Sequence, residues 1–284
     1  MNITWQLAHN HSLRLGPRAI IMGILNVTPD SFSDGGQFAG VDAALVQAHA
    51  MLADGATIID IGGESTKPNA VPVSALEEQR RVLPVIEALA GEALISIDTY
   101  REETARLAVR AGAHIVNDVW GLQREPGIAS VAAETGAGLC IMHTGRDRAK
   151  LPDAIDDQRH FLRHSLEIAI RAGIATESIV LDPGFGFAKE TSEDNIELMV
   201  RFRELKDLGF PLMVGTSRKR FLGTVTGREA QERDVATAAS SAILRLAGAD
   251  LFRVHNVAFN RDALLLSDAM LDLKRAPGKP APRG

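Results

Sequence analysis

Polar residues stand at the end of every apolar run in the 284-residue chain: Asn26, Asp60, Asp98, Asn117-Asp118, His143, Asp182, Thr216-Ser217, and Arg253 with His255. Any one of them could be a turn former or a helix cap. Eight in series at the same kind of position point instead to one composite site. Arg253 and His255 are two residues apart and therefore share one face of an extended segment. Turned inward they imply an anion, because arginine is seldom buried without a partner.

Two further clusters, Ser65-Thr66-Lys67 and Thr216-Ser217-Arg218-Lys219-Arg220, set hydroxyls beside cations directly after an apolar run. Hydroxyls, backbone donors, ammonium groups and the guanidinium fork together make a cradle for phosphate or diphosphate. Asp98, Asn117 and Asp182 suit a different ligand. A buried carboxylate beside an amide accepts from a flat heterocycle bearing ring N–H and amino donors, which describes a pterin or a guanine. The stretch from Asp182 to Lys189 is not a P-loop, since its G-x-G lacks a following G-K-[S/T]; its glycines allow a tight turn and its phenylalanines offer an apolar wall. The polar run from Asn26 to Gly36 has the composition of a lid. Cys140 sits in an apolar run and reads as a small buried hydrophobe rather than a nucleophile.

Positioning these groups requires a repeated unit, and one is visible. Helical stretches stop at Gly55, Gly112, Gly136, Gly173, Gly209 and Gly248, and each glycine is followed by a short loop and a run rich in Ile, Val and Leu. Glycine just past a helix end is the expected left-handed cap, and apolar runs alternating with helices read as parallel strands covered on the outside. Runs at 20–25, 57–61, 94–97, 114–116, 139–142, 179–181, 212–214 and 251–254 make eight strands. Ser74 with Glu77 and Thr99 with Glu102 have the capping-box spacing and are predicted helix starts. The expected fold is α/β, a single-domain (β/α)8 TIM barrel, whose active site lies at the C-terminal ends of the strands. An open doubly wound sheet would carry a G-x-G-x-x-G after its first strand, and there is none. The predicted organisation is an N-terminal extension at 1–18, read as a hairpin closing the barrel floor, a catalytic barrel at 19–273, and a flexible tail at 274–284.

Composition sets the outer limits. A net charge of −5 argues against a nucleic-acid surface, so phosphate must be met by a local basic cluster. No apolar run approaches the ~18 residues of a membrane span, no secretory signal pattern opens the chain, and there is one cysteine, which together suggest a cytoplasmic protein without membrane contact.

The motifs Gly23-Ile24-Leu25-Asn26-Val27-Thr28-Pro29-Asp30-Ser31-Phe32-Ser33-Asp34-Gly35-Gly36, Gly62-Gly63-Glu64-Ser65-Thr66, Leu181-Asp182-Pro183-Gly184-Phe185-Gly186-Phe187, Ser217-Arg218-Lys219 and Arg253-Val254-His255 resemble the dihydropteroate synthases. The resemblance runs from residue 20 to about residue 270. It implies condensation of (7,8-dihydropterin-6-yl)methyl diphosphate with 4-aminobenzoate to 7,8-dihydropteroate and diphosphate, a step of folate biosynthesis and the point of sulfonamide action. It implies Asn26 as ligand of Mg2+, Thr66, Arg253 and His255 as diphosphate contacts, and Asp98, Asn117, Asp182 and Lys219 as pterin contacts. Phe32, Pro68 and Phe187 would wall the 4-aminobenzoate site, Asp34 on the lid would face developing positive charge, and the assembly would be a homodimer. Three departures stand out: Lys67 where the family usually has Arg, Asn256 where Asp is common, and His143-Thr144-Gly145-Arg146 in place of a Met-Gln-Gly stretch. Two other readings are a pterin-dependent methyltransferase, which has no use for diphosphate contacts, and a non-catalytic pterin-binding paralogue.

Overall fold

The computed structural model describes residues 3–28, 36–64, 72–189 and 191–275. Its strands are β1 (Ile3–Gln6), β2 (Ser12–Leu15), β3 (Ile20–Asn26), β4 (Ile58–Gly62), β5 (Leu94–Asp98), β6 (Ile115–Asp118), β7 (Gly138–Met142), β8 (Ile179–Asp182), β9 (Met213–Val214) and β10 (Leu251–Val254). Its helices are α1 (Gly36–Asp54), α2 (Ala75–Leu89), α3 (Glu102–Ala111), α4 (Gly127–Thr135), α5 (Ala154–Arg171), α6 (Ser192–Val200), α7 (Arg220–Thr226), α8 (Asp234–Ala247) and α9 (Val257–Arg275). β3 to β10 are the eight predicted strands. They form one parallel sheet in the order β8-β7-β6-β5-β4-β3-β10-β9, and a bridge between Leu181 and Leu212 brings β8 and β9 together to close the barrel.

The alternation of the strands explains the layering. In β5, Ile95 and Ile97 join the large core shared with the helices, while Leu94 packs with the smaller core inside the barrel. Glycine at each of the six predicted helix ends has positive φ, from 69° at Gly136 to 121° at Gly112, so the caps do form there.

The N-terminal hairpin is present: β1 pairs antiparallel with β2, and Trp5, Leu7 and Leu15 pack with Ile58, Ile115, Cys140 and Val180 inside the barrel floor. Trp5 is fully buried and its indole N–H donates to the Ser178 carbonyl at 2.9 Å. Cys140 is a member of this same apolar cluster, as its sequence context suggested.

Two sequence expectations need adjustment. Ser74 caps α2 by accepting from the Glu77 amide, but Thr99 does not cap α3. That helix begins at Glu102, whose amide is taken by the Glu125 carboxylate at 2.8 Å, while Thr99 Oγ1 accepts from Arg101. The tail is expected from 274, but Lys274 and Arg275 complete α9 and Arg275 reaches the carbonyls of Gly16 and Pro17; residues 276–284 lie outside the described residues.

Candidate active site

The inward positions at the C-terminal ends of the strands carry the candidate site. Asp98 on β5 and Asn117 on β6 are register partners, as are Met142 on β7 and Asp182 on β8. Arg253 on β10 reaches inward, donating from Nε to Asp60 Oδ2 and from Nη2 to Asp98 Oδ2, each at 2.5 Å. The sequence expected an inward Arg253 to imply an anion. Its partners here are two carboxylates of the barrel itself, and 18% of its side chain stays exposed at the mouth.

Beside this ion pair is a small cavity lined by Asn117, Met142, Asp182, Phe187, Lys219 and Arg253. Asp182 Oδ1 accepts from the Gly184 amide at 2.7 Å. Gly184 has φ 63°, and a Cβ there would fall 2.0 Å from the His143 carbonyl oxygen, so only glycine permits the turn that brings this amide to the carboxylate. Gly215 faces Asp182 Oδ2 and the Arg253 Cβ, about 4 Å from where its own Cβ would be, and so leaves the cavity unfilled on that side.

The β9–α7 loop sorts its two cations. Arg218 adopts φ 58° and turns outward to the Asp234 carboxylate at 2.7 and 2.9 Å. Lys219 is thereby turned into the site, its ammonium 3.9 Å from the centre of the Phe187 ring. Phe185 also lines the cavity and stacks on Phe221, while Phe187 is the phenylalanine beside the site cations.

Burial governs the electrostatics. It pushes Asp98 up to about 7, with Arg253 pulling the other way and Asp60 adding to the rise. Burial likewise raises Asp182, against the Gly184 amide and Lys219. It lowers Lys219 to about 8, helped by Arg253. His255 is lowered to about 3 by burial and by Arg218, so its imidazole is neutral at neutral pH, and Nδ1 lies 2.9 Å from Ser217 Oγ. Of the Arg253–His255 pair, only the arginine is therefore a cation.

Asn26 ends β3 near Asp98: a Cβ on Gly62 would lie 3.9 Å from Asn26 Oδ1 and 3.7 Å from Asp98 Oδ2. Among the described residues no three His, Cys, Asp or Glu side chains gather to hold a metal ion. Phe32, Asp34, Thr66, Lys67 and Pro68 lie outside the described residues. His143, directly after β7, faces away from the cavity toward Asp157 at 3.0 Å and the Phe161 ring. The neighbouring Arg146 lies over Phe187 at 4.8 Å and Trp120 at 5.6 Å. Asn256 donates to Asp234 at 3.1 Å, a bond that an aspartate would replace with carboxylate repulsion.

Sequence reasoning treated Asp60 only as a strand end and left Met142 and Val119 out. The signal for Asp60 was available: a charged residue in Ile58-Ile59-Asp60-Ile61-Gly62, a strand buried on both faces. Met142 carries no such signal, since an apolar residue in an apolar run does not announce which cavity it lines, and Val119, in the turn after Asn117-Asp118, carries none either.

A closed barrel whose mouth holds paired acceptors, an ammonium and an apolar wall is the arrangement of a pterin-binding enzyme. Residues 22–255 match the model of the family described as "Pterin binding enzyme", and the chain belongs to that family. Its similar relatives within the family are dihydropteroate synthases. That of Bacillus subtilis (strain 168) is 46% identical over 260 residues, 90% of each chain. That of Clostridium beijerinckii is 42% identical over 260 residues, 90% of this chain and 96% of the relative. Among solved structures, the Clostridium difficile dihydropteroate synthase in the presence of pteroic acid superposes with a TM-score of 0.87 at 46% identity, covering 90% of this chain and 98% of that one. The Xanthomonas albilineans dihydropteroate synthase with 4-aminobenzoic acid gives 0.89 at 39% identity, covering 96% and 100%.

Proposed function

We propose that the chain is a transferase of folate biosynthesis that condenses (7,8-dihydropterin-6-yl)methyl diphosphate with 4-aminobenzoate, yielding 7,8-dihydropteroate and diphosphate. The observation that carries the reading is buried Asn117 and Asp182 with half-buried Lys219, a set facing one cavity beside Phe187. Asp182 Oδ2 and Asn117 accept from the ring N–H and amino donors of a pterin, and Lys219 donates to its remaining edge. Relatives solved with pteroic acid and with 4-aminobenzoic acid support the same two ligand classes here.

The chemistry needs no nucleophile–base pair, since an arylamine is nucleophilic as the neutral base. The bond from the pterin methylene to oxygen breaks, diphosphate leaves with the electron pair, and the ring stabilises the methylene cation. The arylamine lone pair then forms the C–N bond and its proton passes to solvent. Arg253 at the mouth, with Thr66, Lys67 and His255, stabilises the departing anion. Asp34 would stabilise the developing cation, and Phe32, Pro68 and Phe187 are the residues assigned to the arylamine.

A Mg2+ ion fits the donor set through Asn26, whose amide oxygen is a hard ligand at the strand end beside Asp98. Magnesium takes few protein ligands when substrate phosphates and water complete its shell, and bound here it would neutralise diphosphate charge. The reading includes a cytoplasmic homodimer, with residues 19–273 as the catalytic unit. Val225, Val235 and Phe259, exposed on α7, α8 and α9, offer apolar surface for such pairing. Among the described residues no helix is long and apolar enough to cross a membrane. The test is turnover on purified protein, following diphosphate release that depends on 4-aminobenzoate. Pterin binding without turnover would favour a non-catalytic paralogue, and methyl transfer without diphosphate release a methyltransferase.

A further inference from the structure

Asp60 belongs to neither the pterin set nor the diphosphate set, yet it touches both. It is fully buried inside the barrel, two residues before Gly62, the register partner of Asp98. Its Oδ2 accepts from Arg253 Nε at 2.5 Å and from Asn117 Nδ2 at 3.3 Å. Its Oδ1 is buried with no partner among the described residues. Asp98 faces the same guanidinium at 2.5 Å, so the two carboxylates share its charge, and that shared role leaves the contact of Asp60 with Asn117 unexplained. A buried carboxylate with an unmet oxygen costs stability, so its role is to be sought in what it orients.

That group is the Asn117 amide. A carboxylate only accepts, so the Asn117 group turned toward Asp60 is the NH2, and the carbonyl oxygen is turned away from it. Asn117 lines the cavity, and among the described residues no donor reaches its Oδ1.

We propose that Asp60 is a positioning residue that locks the Asn117 carboxamide with its oxygen toward the bound ring, making the site select a 2-amino over a 2-oxo heterocycle. The inference rests on the reading of this cavity as the pterin site. With the amide held, Asn117 meets an amino donor with an acceptor. A 2-oxo ring would set acceptor against acceptor. Through the same oxygen, Asp60 ties the reader to Arg253, so recognition of the ring and the clamp on the leaving anion share one support.

The experiment is calorimetric titration of the full chain with 6-hydroxymethylpterin and 6-hydroxymethyllumazine, which differ in the amino or oxo group at position 2 and, with it, at N1, an acceptor in the pterin and an N–H in the lumazine. Wild type is expected to favour the pterin by about a hundredfold, which at about 1.4 kcal/mol per tenfold lies within the cost of leaving a buried polar group unmatched. Asp60→Ala frees the amide to rotate, and the preference should fall by about tenfold or more. Asp60→Asn retains one acceptor oxygen and should restore the preference despite the lost charge, an outcome that mere neutralisation of Arg253 would not give. Asp60→Val serves as a second variant that fills the space without an acceptor. An unchanged preference in the Ala and Val variants overturns the proposal, as does failure of both to fold, which would assign Asp60 to the fold. Absence of any preference in wild type would instead overturn the pterin reading itself.

Discussion

Replacing Asp182 by Asn separates recognition from stability, and its size follows from two atoms. Oδ1 of Asp182 accepts from the Gly184 amide at 2.7 Å, and Oδ2 remains for the ligand. An amide has one acceptor oxygen where the carboxylate has two. If that oxygen stays with Gly184, the new NH2 faces the N–H donors of the ring. If it turns to the ring, the NH2 faces the Gly184 N–H and leaves it unmet. Either way one charge-assisted bond is lost, about 1.5–3 kcal/mol, and a donor goes unpaired, about 1–3 kcal/mol. A loss of about 3–5 kcal/mol corresponds to pterin binding weakened roughly 100- to 4000-fold. Stability should move the other way. Burial raises the carboxyl of Asp182 above its ordinary range, so its stabilising contribution is present at low pH and is lost as pH rises through the folded value. Burial makes the ionised carboxylate a cost to the fold, so the neutral amide should leave Tm unchanged or slightly higher. Calorimetry for the pterin and thermal melting at pH 7 test the pair of outcomes. A Kd within about threefold of wild type would refute the assignment, and a lowered Tm with intact binding would make Asp182 a turn residue only.

Lys219 is lowered to about 8 by burial, so wild-type pterin affinity should fall as pH rises through that value and the ammonium is lost, whereas Lys219→Met should bind weakly and show no such inflection in titrations from pH 6.5 to about 9.5. Trp5→Ala empties a fully buried site in the barrel floor and strands the Ser178 carbonyl, and should cost about 3–5 kcal/mol by denaturant unfolding while kcat per folded molecule is unchanged. Lys67→Ala should raise KM for the pterin diphosphate and leave the Kd of the pterin alcohol unaltered, because its charge serves only the anion; equal losses for both would place its effect in the loop.

The order of elements and the end of the barrel that carries chemistry were legible in the chain because both are local signals. A strand covered on both faces must be apolar, and a helix that turns back must end in a residue tolerant of positive φ, so Gly55 through Gly248 and the eight apolar runs mark the period. A polar residue breaking such a run is conspicuous for the same reason, which is how Asp98, Asn117, Asp182 and Arg253 were found. Start signals transferred less well: Thr99 has the capping spacing, but Glu125, 23 residues downstream of Glu102, takes the amide that defines the start of α3.

Partnership was decided only in three dimensions. Sequence placed Arg253 facing inward but could not say that its guanidinium would lie between Asp60 and Asp98, 193 and 155 residues away. It paired His255 with Arg253 as a basic couple, whereas burial and the nearby Arg218 leave the imidazole neutral. It had no means of turning Arg218 out and Lys219 in, which depends on one left-handed residue and on Asp234 being within reach. The chain by itself determines which residues are costly to bury and where along the strands they fall, because that depends on residue type and period. Which carboxylate neutralises which cation, and which atoms are left for a ligand, depends on distances across the barrel that exist only once the eight strands have closed.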